Sequence, residues 1–197
     1  MKTHLEIISE LIPAKSKVLD IGCGNGELLA MLKRKKCITR GIELAQSKVK
    51  ECVKKGLSVI HGDADNDLGY YPDKSFNYAV LADTVQATKN PKKVMQQALR
   101  VADKVVVSIP NFGYWKTRWY LLTKGRMPVT KRLSYQWYET PNIHFCTIRD
   151  FAVLVDEVAV KIEQFTYVKN NSDSCKSDPK SIMANIFGVR GVFVISK

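Results

Sequence analysis

One aspartate, three glycines at alternate positions and two further acidic strand ends are the residues of this chain best suited to chemistry. Asp20 interrupts the apolar run Val18-Leu19-Asp20-Ile21, and Gly22, Gly24 and Gly26 follow, with Cys23 and Asn25 between them. Leu28, Leu29, Met31 and Leu32 then open a helical pattern. Glycine permits positive φ and lets a ligand approach the backbone without meeting a Cβ. A helix starting directly after such a turn presents unpaired N–H groups to an electron-rich ligand. The stretch therefore reads as a buried strand, a ligand-facing turn and a helix N-terminus. Two more apolar segments also run into acids. Cys37 to Glu43 ends a little over 20 residues after Asp20, and Leu57 to Asp65 closes with Gly62-Asp63-Ala64-Asp65.

The spacing departs from the dinucleotide fingerprint G-x-G-x-x-G, because the third glycine comes one residue early and an acid precedes the first. Position by position it resembles motif I of the class I S-adenosylmethionine (AdoMet) methyltransferases, D-x-G-x-G-x-G, at Asp20, Gly22, Gly24 and Gly26. That resemblance implies AdoMet, or S-adenosylhomocysteine, lying over Asp20, Gly22, Cys23, Gly24 and Gly26. Glu43 stands where a βαβ site places its ribose-binding carboxylate, which can accept both ribose hydroxyls. The resemblance also implies that adenine lies beside Leu44, Asp63 and Ala64.

These residues need a scaffold, and the pattern supplies one. Helical periodicity covers about 3–11, 26–35, 46–55, 91–101 and 147–158, and strands fall near 17–21, 38–43, 57–61, 76–82, 104–109, 159–168 and 189–196. Alternation of strand and helix predicts a doubly wound, mostly parallel α/β sheet finished by a hairpin. The methyltransferase resemblance supplies the order 3-2-1-4-5-7-6 with strand 7 antiparallel. The last two strands are expected to run without a helix between them, across a mobile polar surface loop at 170–178.

Composition narrows the function classes. The chain has 197 residues, 45% of them hydrophobic and 25% charged, as in ordinary globular proteins. One domain over residues 1–197 is expected, with a helical, aromatic insert at about 112–146. No apolar run is long enough to span a membrane. Five cysteines, odd in number and without a C-x-x-C pair, read as reduced thiols rather than a disulfide set or a metal site, consistent with a cytoplasmic protein.

The net charge of +12 is unevenly spread. No acid occurs from Lys104 to Tyr138, while Lys116, Arg118, Lys124, Arg126, Lys131 and Arg132 alternate with Tyr114, Trp115, Trp119, Tyr120, Tyr135 and Trp137. Such a mixture suits a protein interface, where Trp, Tyr and Arg are the usual anchors. It also suits a solvated helical insertion whose aromatics cap the core. Nucleic acid is the less favoured partner.

The blocks Asp83 to Pro91, Ser108 to Trp115, Gly125 to Thr130 and Trp137 to Phe151 resemble the signature segments of the methionine biosynthesis protein MetW family. The resemblance runs over nearly the whole chain. It implies a class I methyltransferase fold, a link to methionine synthesis and association with homoserine O-acyltransferase. Two functions are therefore expected as alternatives: an AdoMet-dependent methyltransferase of unidentified acceptor, or a non-catalytic partner of the acyltransferase. Methyl transfer from AdoMet asks mainly for orientation, so no base need be visible. Candidate catalytic residues are His144, as the side-chain type most used for proton transfer, Asp83 after the fourth strand, and Asn111 after the fifth.

Overall fold

The computed structural model describes residues 3–129, 135–169 and 173–197. Its centre is an eight-stranded sheet built from β1 (Lys17–Ile21), β2 (Ile38–Glu43), β3 (Val59–His61), β4 (Phe76–Ala82), β5 (Ala102–Pro110), β6 (Lys161–Val168), β7 (Ser174–Lys176) and β8 (Arg190–Ser196). The order is β3-β2-β1-β4-β5-β8-β6-β7. β1 to β5 pair in parallel, and β8 enters antiparallel between β5 and β6. This is the expected mostly parallel order, with the final strand antiparallel and one short strand added at the edge.

That added strand corrects the sequence reading. Part of the segment expected to be a loop forms β7, which pairs antiparallel with β6 through Tyr167 and Cys175. A further helix, Ile182–Phe187, separates β7 from β8 where none was expected. Both elements are short and polar-flanked, so neither carries enough periodicity to register in sequence. The mobility expected for 170–172 concerns residues outside those described.

Helices cover both faces. α1 (His4–Leu11), α2 (Glu27–Arg34) and α3 (Gln46–Lys54) lie on one side, and α4 (Pro91–Val101) and α6 (Ile148–Glu157) on the other. α5 (Trp115–Lys124) projects from the loop after β5, and α7 is the Ile182–Phe187 helix. Strand periodicity divides the core: Leu19 and Ile21 of β1 pack with α4 and α6, while Val18 packs with α1 and α2. On the α6 side Phe151, Phe165 and Phe193 form a buried cluster with centroid separations of 4.6 and 4.7 Å. Each such ring contributes about 1.5–3 kcal/mol of burial. α1 and α6 begin with reciprocal capping boxes, Thr3 with Glu6 and Thr147 with Asp150. The parallel strands therefore end together, at one edge, in Ile21, Glu43, His61, Ala82 and Pro110.

Candidate functional site

The turn after β1 is held from below. Gly22 and Cys23 both donate their N–H to the Ile42 carbonyl, at 2.8 and 3.1 Å, and Thr84 Oγ1 donates to the Ile21 carbonyl at 2.8 Å. Gly22 and Gly24 have φ of +75° and +55°. Their reasons for being glycine differ. A Cβ on Gly22 would lie 2.6 Å from Thr84 Oγ1, whereas one on Gly24 would meet nothing within 4 Å. Gly24 thus faces open space, and any side chain there would fill it. Gly26 caps α2 without a side-chain partner, leaving the first helical N–H groups free of a cap.

Two acids sit under this turn. Glu43 is buried and clamps the loop: Oε2 accepts the Gly24 N–H at 2.8 Å and Oε1 accepts the Ala45 N–H at 2.9 Å. Asp20 is 1% exposed and its Oδ1 has no hydrogen-bond partner. Burial, reinforced by the neighbouring Glu43 charge, raises the Asp20 carboxyl from 3.8 to about 7. A buried, unpartnered carboxylate oxygen is unfavourable by about 1–3 kcal/mol unless something reaches it. The cavity above measures about 190 Å³ and is bounded by Asp20, Gly22, Gly24, Leu28 and, from α1, His4 and Leu5.

The structure thus brings together Asp20, Gly22, Cys23, Gly24 and Glu43, and Leu44, the next residue, is exposed. Asp63 stands at the same sheet edge after β3, but its carboxylate serves its own turn, accepting from Asp65 N at 2.9 Å and Asn66 Nδ2 at 2.8 Å. Ala64 packs against the core.

A second cavity, about 220 Å³, lies further along the edge, between the ends of β4, β5 and β8 and the insert. Among the described residues its charged lining is Asp83 and Arg190, and Phe112, Met127, Trp137 and Phe145 supply walls. Asp83 adopts φ of +56°, a left-handed conformation that Asp tolerates. Its Oδ2 accepts from Arg190 Nη1, its Oδ1 from Ser108 Oγ at 3.1 Å, and His4 Nε2 lies 3.6 Å away. Burial, with the Arg190 charge adding to it, lowers His4 to about 4 against the opposing pull of Asp83, so His4 is neutral at pH 7.

The other catalytic candidates fare differently. Asn111 is a structural bracket: Nδ2 donates to the Asn185 and Gly188 carbonyls at 2.8 and 2.7 Å, and Oδ1 accepts from Gly113 N and Ile148 N at 2.9 and 3.2 Å. Every hydrogen-bonding position of its amide is filled, which leaves none for a substrate. His144 is exposed, anchored by its own N–H on the Gln86 carbonyl at 3.0 Å, and is not part of either cavity's lining. Cys23 and Cys146 are poor nucleophiles. Burial pushes Cys146 up to about 11 and raises Cys23 further still, and all five cysteines are free. Among the described residues no group of acids, histidines and cysteines is arranged to hold a metal.

Sequence reasoning missed His4, Thr84, Ser108 and Arg190. Arg190 meets Asp83 across 107 residues of chain, a pairing that no local spacing signals.

A family model described as methionine biosynthesis protein MetW matches residues 2–195. The chain belongs to the MetW family. A relative from Rhodopirellula baltica, the bifunctional methionine biosynthesis protein MetXA/MetW, is 35% identical over 81% of this chain. The match takes in only 27% of that relative, so the chain spans about a quarter of it. Among solved structures, a SAM-dependent methyltransferase from Thermotoga maritima, described as a possible histamine N-methyltransferase, superposes with a TM-score of 0.72 at 20% identity, over 98% of this chain and 86% of that one. The 4+2 cyclase SpnF superposes with a TM-score of 0.68 at 15% identity, over 98% of this chain and 80% of its own. These likenesses establish the class I methyltransferase fold for this MetW chain. The cyclase among them shows that the fold hosts more than one chemistry. No helix among the described residues is long and apolar enough to cross a membrane.

Proposed function

We propose that this MetW protein binds AdoMet over the Asp20–Gly26 turn and acts as an AdoMet-dependent methyltransferase on a small acceptor in the adjoining cavity. The observation that carries the reading is the orphaned Asp20 Oδ1 beneath the open face of Gly24. AdoMet, when bound, supplies an electrophilic methyl group on a cationic sulfonium, together with an α-ammonium. A buried acid without a partner suits such a cationic ligand. Glu43 keeps Gly24 in its left-handed turn and has lone pairs left for ribose hydroxyls, while Leu44 flanks the adenine. Asp63 and Ala64 complete the adenine end in this proposal, through backbone and shape more than through the Asp63 carboxylate. His4 and Leu5 shield the donor side from water. Asp83, fixed by Arg190 and Ser108, stands between the cavities and is the best placed of the three catalytic candidates.

A second role is favoured by the relative that joins MetXA and MetW in one bifunctional protein. We read its MetXA part as homoserine O-acyltransferase and propose that enzyme as the partner of this chain in the cytoplasm. The contact face would be α5 and its flanks. Thr117 is the buried residue of α5, while Trp115, Trp119, Leu121 and Leu122 are all exposed. Exposed apolar groupings of this kind mark interaction sites. Calorimetric titration with AdoMet, run beside a pull-down with the acyltransferase, tests both roles. Absence of AdoMet binding by the wild-type protein would refute the first.

A further inference from the structure

Asp83 and Arg190, the charged residues among the described lining of the second cavity, are unequally satisfied. Asp83 already has three neighbours: Ser108 Oγ at 3.1 Å, Arg190 Nη1, and His4 Nε2 at 3.6 Å. Arg190 carries five N–H donors in a rigid fork, and its described side-chain hydrogen bond, through Nη1, goes to Asp83. Its side chain is 19% exposed, at the cavity wall. An incoming ammonium would have to compete for a carboxylate that is already surrounded by donors. An incoming carboxylate finds unused donors in the geometry that guanidinium offers it.

The surroundings act in the same direction. Lys116, Arg118, Lys124 and Arg126 lie on the same insert, within a stretch that contains no acid from Lys104 to Tyr138. Phe112 and Phe145 form an edge-to-face pair at 4.6 Å, and with Trp137 and Met127 they give the cavity an apolar body. Such walls disfavour a small, strongly hydrated dianion such as phosphate. The volume of about 220 Å³ lies below the roughly 300–1,000 Å³ of cavities that take drug-sized ligands.

We propose that this cavity is a binding site for a small carboxylic acid with an apolar body, its carboxylate gripped by Arg190 and its body packed against Phe112, Phe145 and Trp137. Naming it the acceptor side rests on the donor-site reading given above. The carboxylate preference itself rests on Arg190, Asp83 and the aromatic walls.

The test is calorimetric titration of the protein with benzoate, benzamide and benzylamine, which share a ring and differ in charge. Benzoate is expected to bind at least tenfold more tightly than either of the others. Arg190→Met should remove most of that preference. Asp83→Asn should strengthen benzoate binding several-fold, because it releases Nη1. These opposite signs separate a binding site from a brace: if the ion pair only fastens β4 to β8, both substitutions lower the melting temperature and neither changes the benzoate-to-benzamide ratio. Equal affinities in the wild-type protein, or a preference for benzylamine, would overturn the proposal even if the Arg190 variant failed to fold. AdoMet titrated into the same samples keeps the two readings apart. Lost AdoMet binding with benzoate selectivity intact refutes only the donor site, and the converse refutes only the carboxylate site.

Discussion

The two cavities at the sheet edge are built from different materials. The first, where AdoMet is proposed to bind, is made mostly of backbone: a turn of left-handed glycines and a helix start, backed by two buried acids, drawn from β1, β2 and their turns. The second cavity is made of side chains gathered from β4, β5, the insert and β8, with Asp83 and Arg190 as its charged lining. Backbone sites are specified by where a side chain is absent, so single substitutions at them act steeply. Side-chain sites are specified by several contributions, and each change acts by a fraction.

The steepest effect belongs to Gly24. A valine there would add its branches to the open space above the turn, in a backbone conformation that β-branched residues avoid. Gly24→Val is expected to lower AdoMet affinity more than a hundredfold while circular dichroism stays native, with benzoate binding unaffected. Retained AdoMet binding would reduce the turn to a simple strand–helix connection.

Glu43→Ala comes next. It removes charge-assisted hydrogen bonds worth about 1.5–3 kcal/mol, about ten- to a hundredfold in affinity. It also releases the clamp on Gly24, so a smaller loss in calorimetry would remove Glu43 from the site.

The pH response is a third test. Protonated Asp20 favours the folded state without ligand, since its carboxyl is raised from 3.8 to about 7. That contribution is fully present below about pH 4 and is lost as pH rises through 7. A cationic ligand reverses the preference, because it requires the ionised acid. AdoMet affinity is therefore expected to fall roughly tenfold from pH 8 to pH 6, and Asp20→Asn should flatten the profile. A flat wild-type profile would mean that Asp20 does not face the positive charge.

The smallest expected effect lies on the outer face of the insert. Trp119→Ala combined with Arg126→Ala should weaken capture of homoserine O-acyltransferase several-fold and leave AdoMet affinity within a few-fold. Unchanged capture would make the insert a lid alone. A gel shift that falls steeply with salt would instead point to nucleic acid.

The same contrast explains what could be read before the structure. Asp20, Gly22, Gly24 and Glu43 were legible because each stands at the end of a strand or in the turn just after it, and the turn geometry needs those residue types at that spacing. Alternation of strand and helix predicted a mostly parallel sheet, and the order of β1 to β5 came with the resemblance to class I methyltransferases. Arg190 was illegible: it joins Asp83 only because β8 inserts next to β5 and places Arg190 opposite Pro110. Asn111 misled for a related reason. Its position after β5 is that of a ligand-contacting residue, yet the loop carrying Gly188 and the start of α6 close on its amide. His144 has the right chemistry but the wrong exposure. β7 and α7 were missed because three and six residues are too few for a period to show.

The antiparallel entry of β8 has a practical outcome. Ser196 lies opposite Lys104, near the start of β5, so the chain leaves the sheet at the edge remote from both cavities. His4, at the other end, touches Asp83 and walls the donor cavity. A fluorophore or surface tether attached at exposed Lys197 is expected to leave titrations with AdoMet and benzoate unchanged. The same attachment at exposed Thr3, beside His4, sits on the doorstep of each cavity and is expected to report on, or obstruct, whatever enters them.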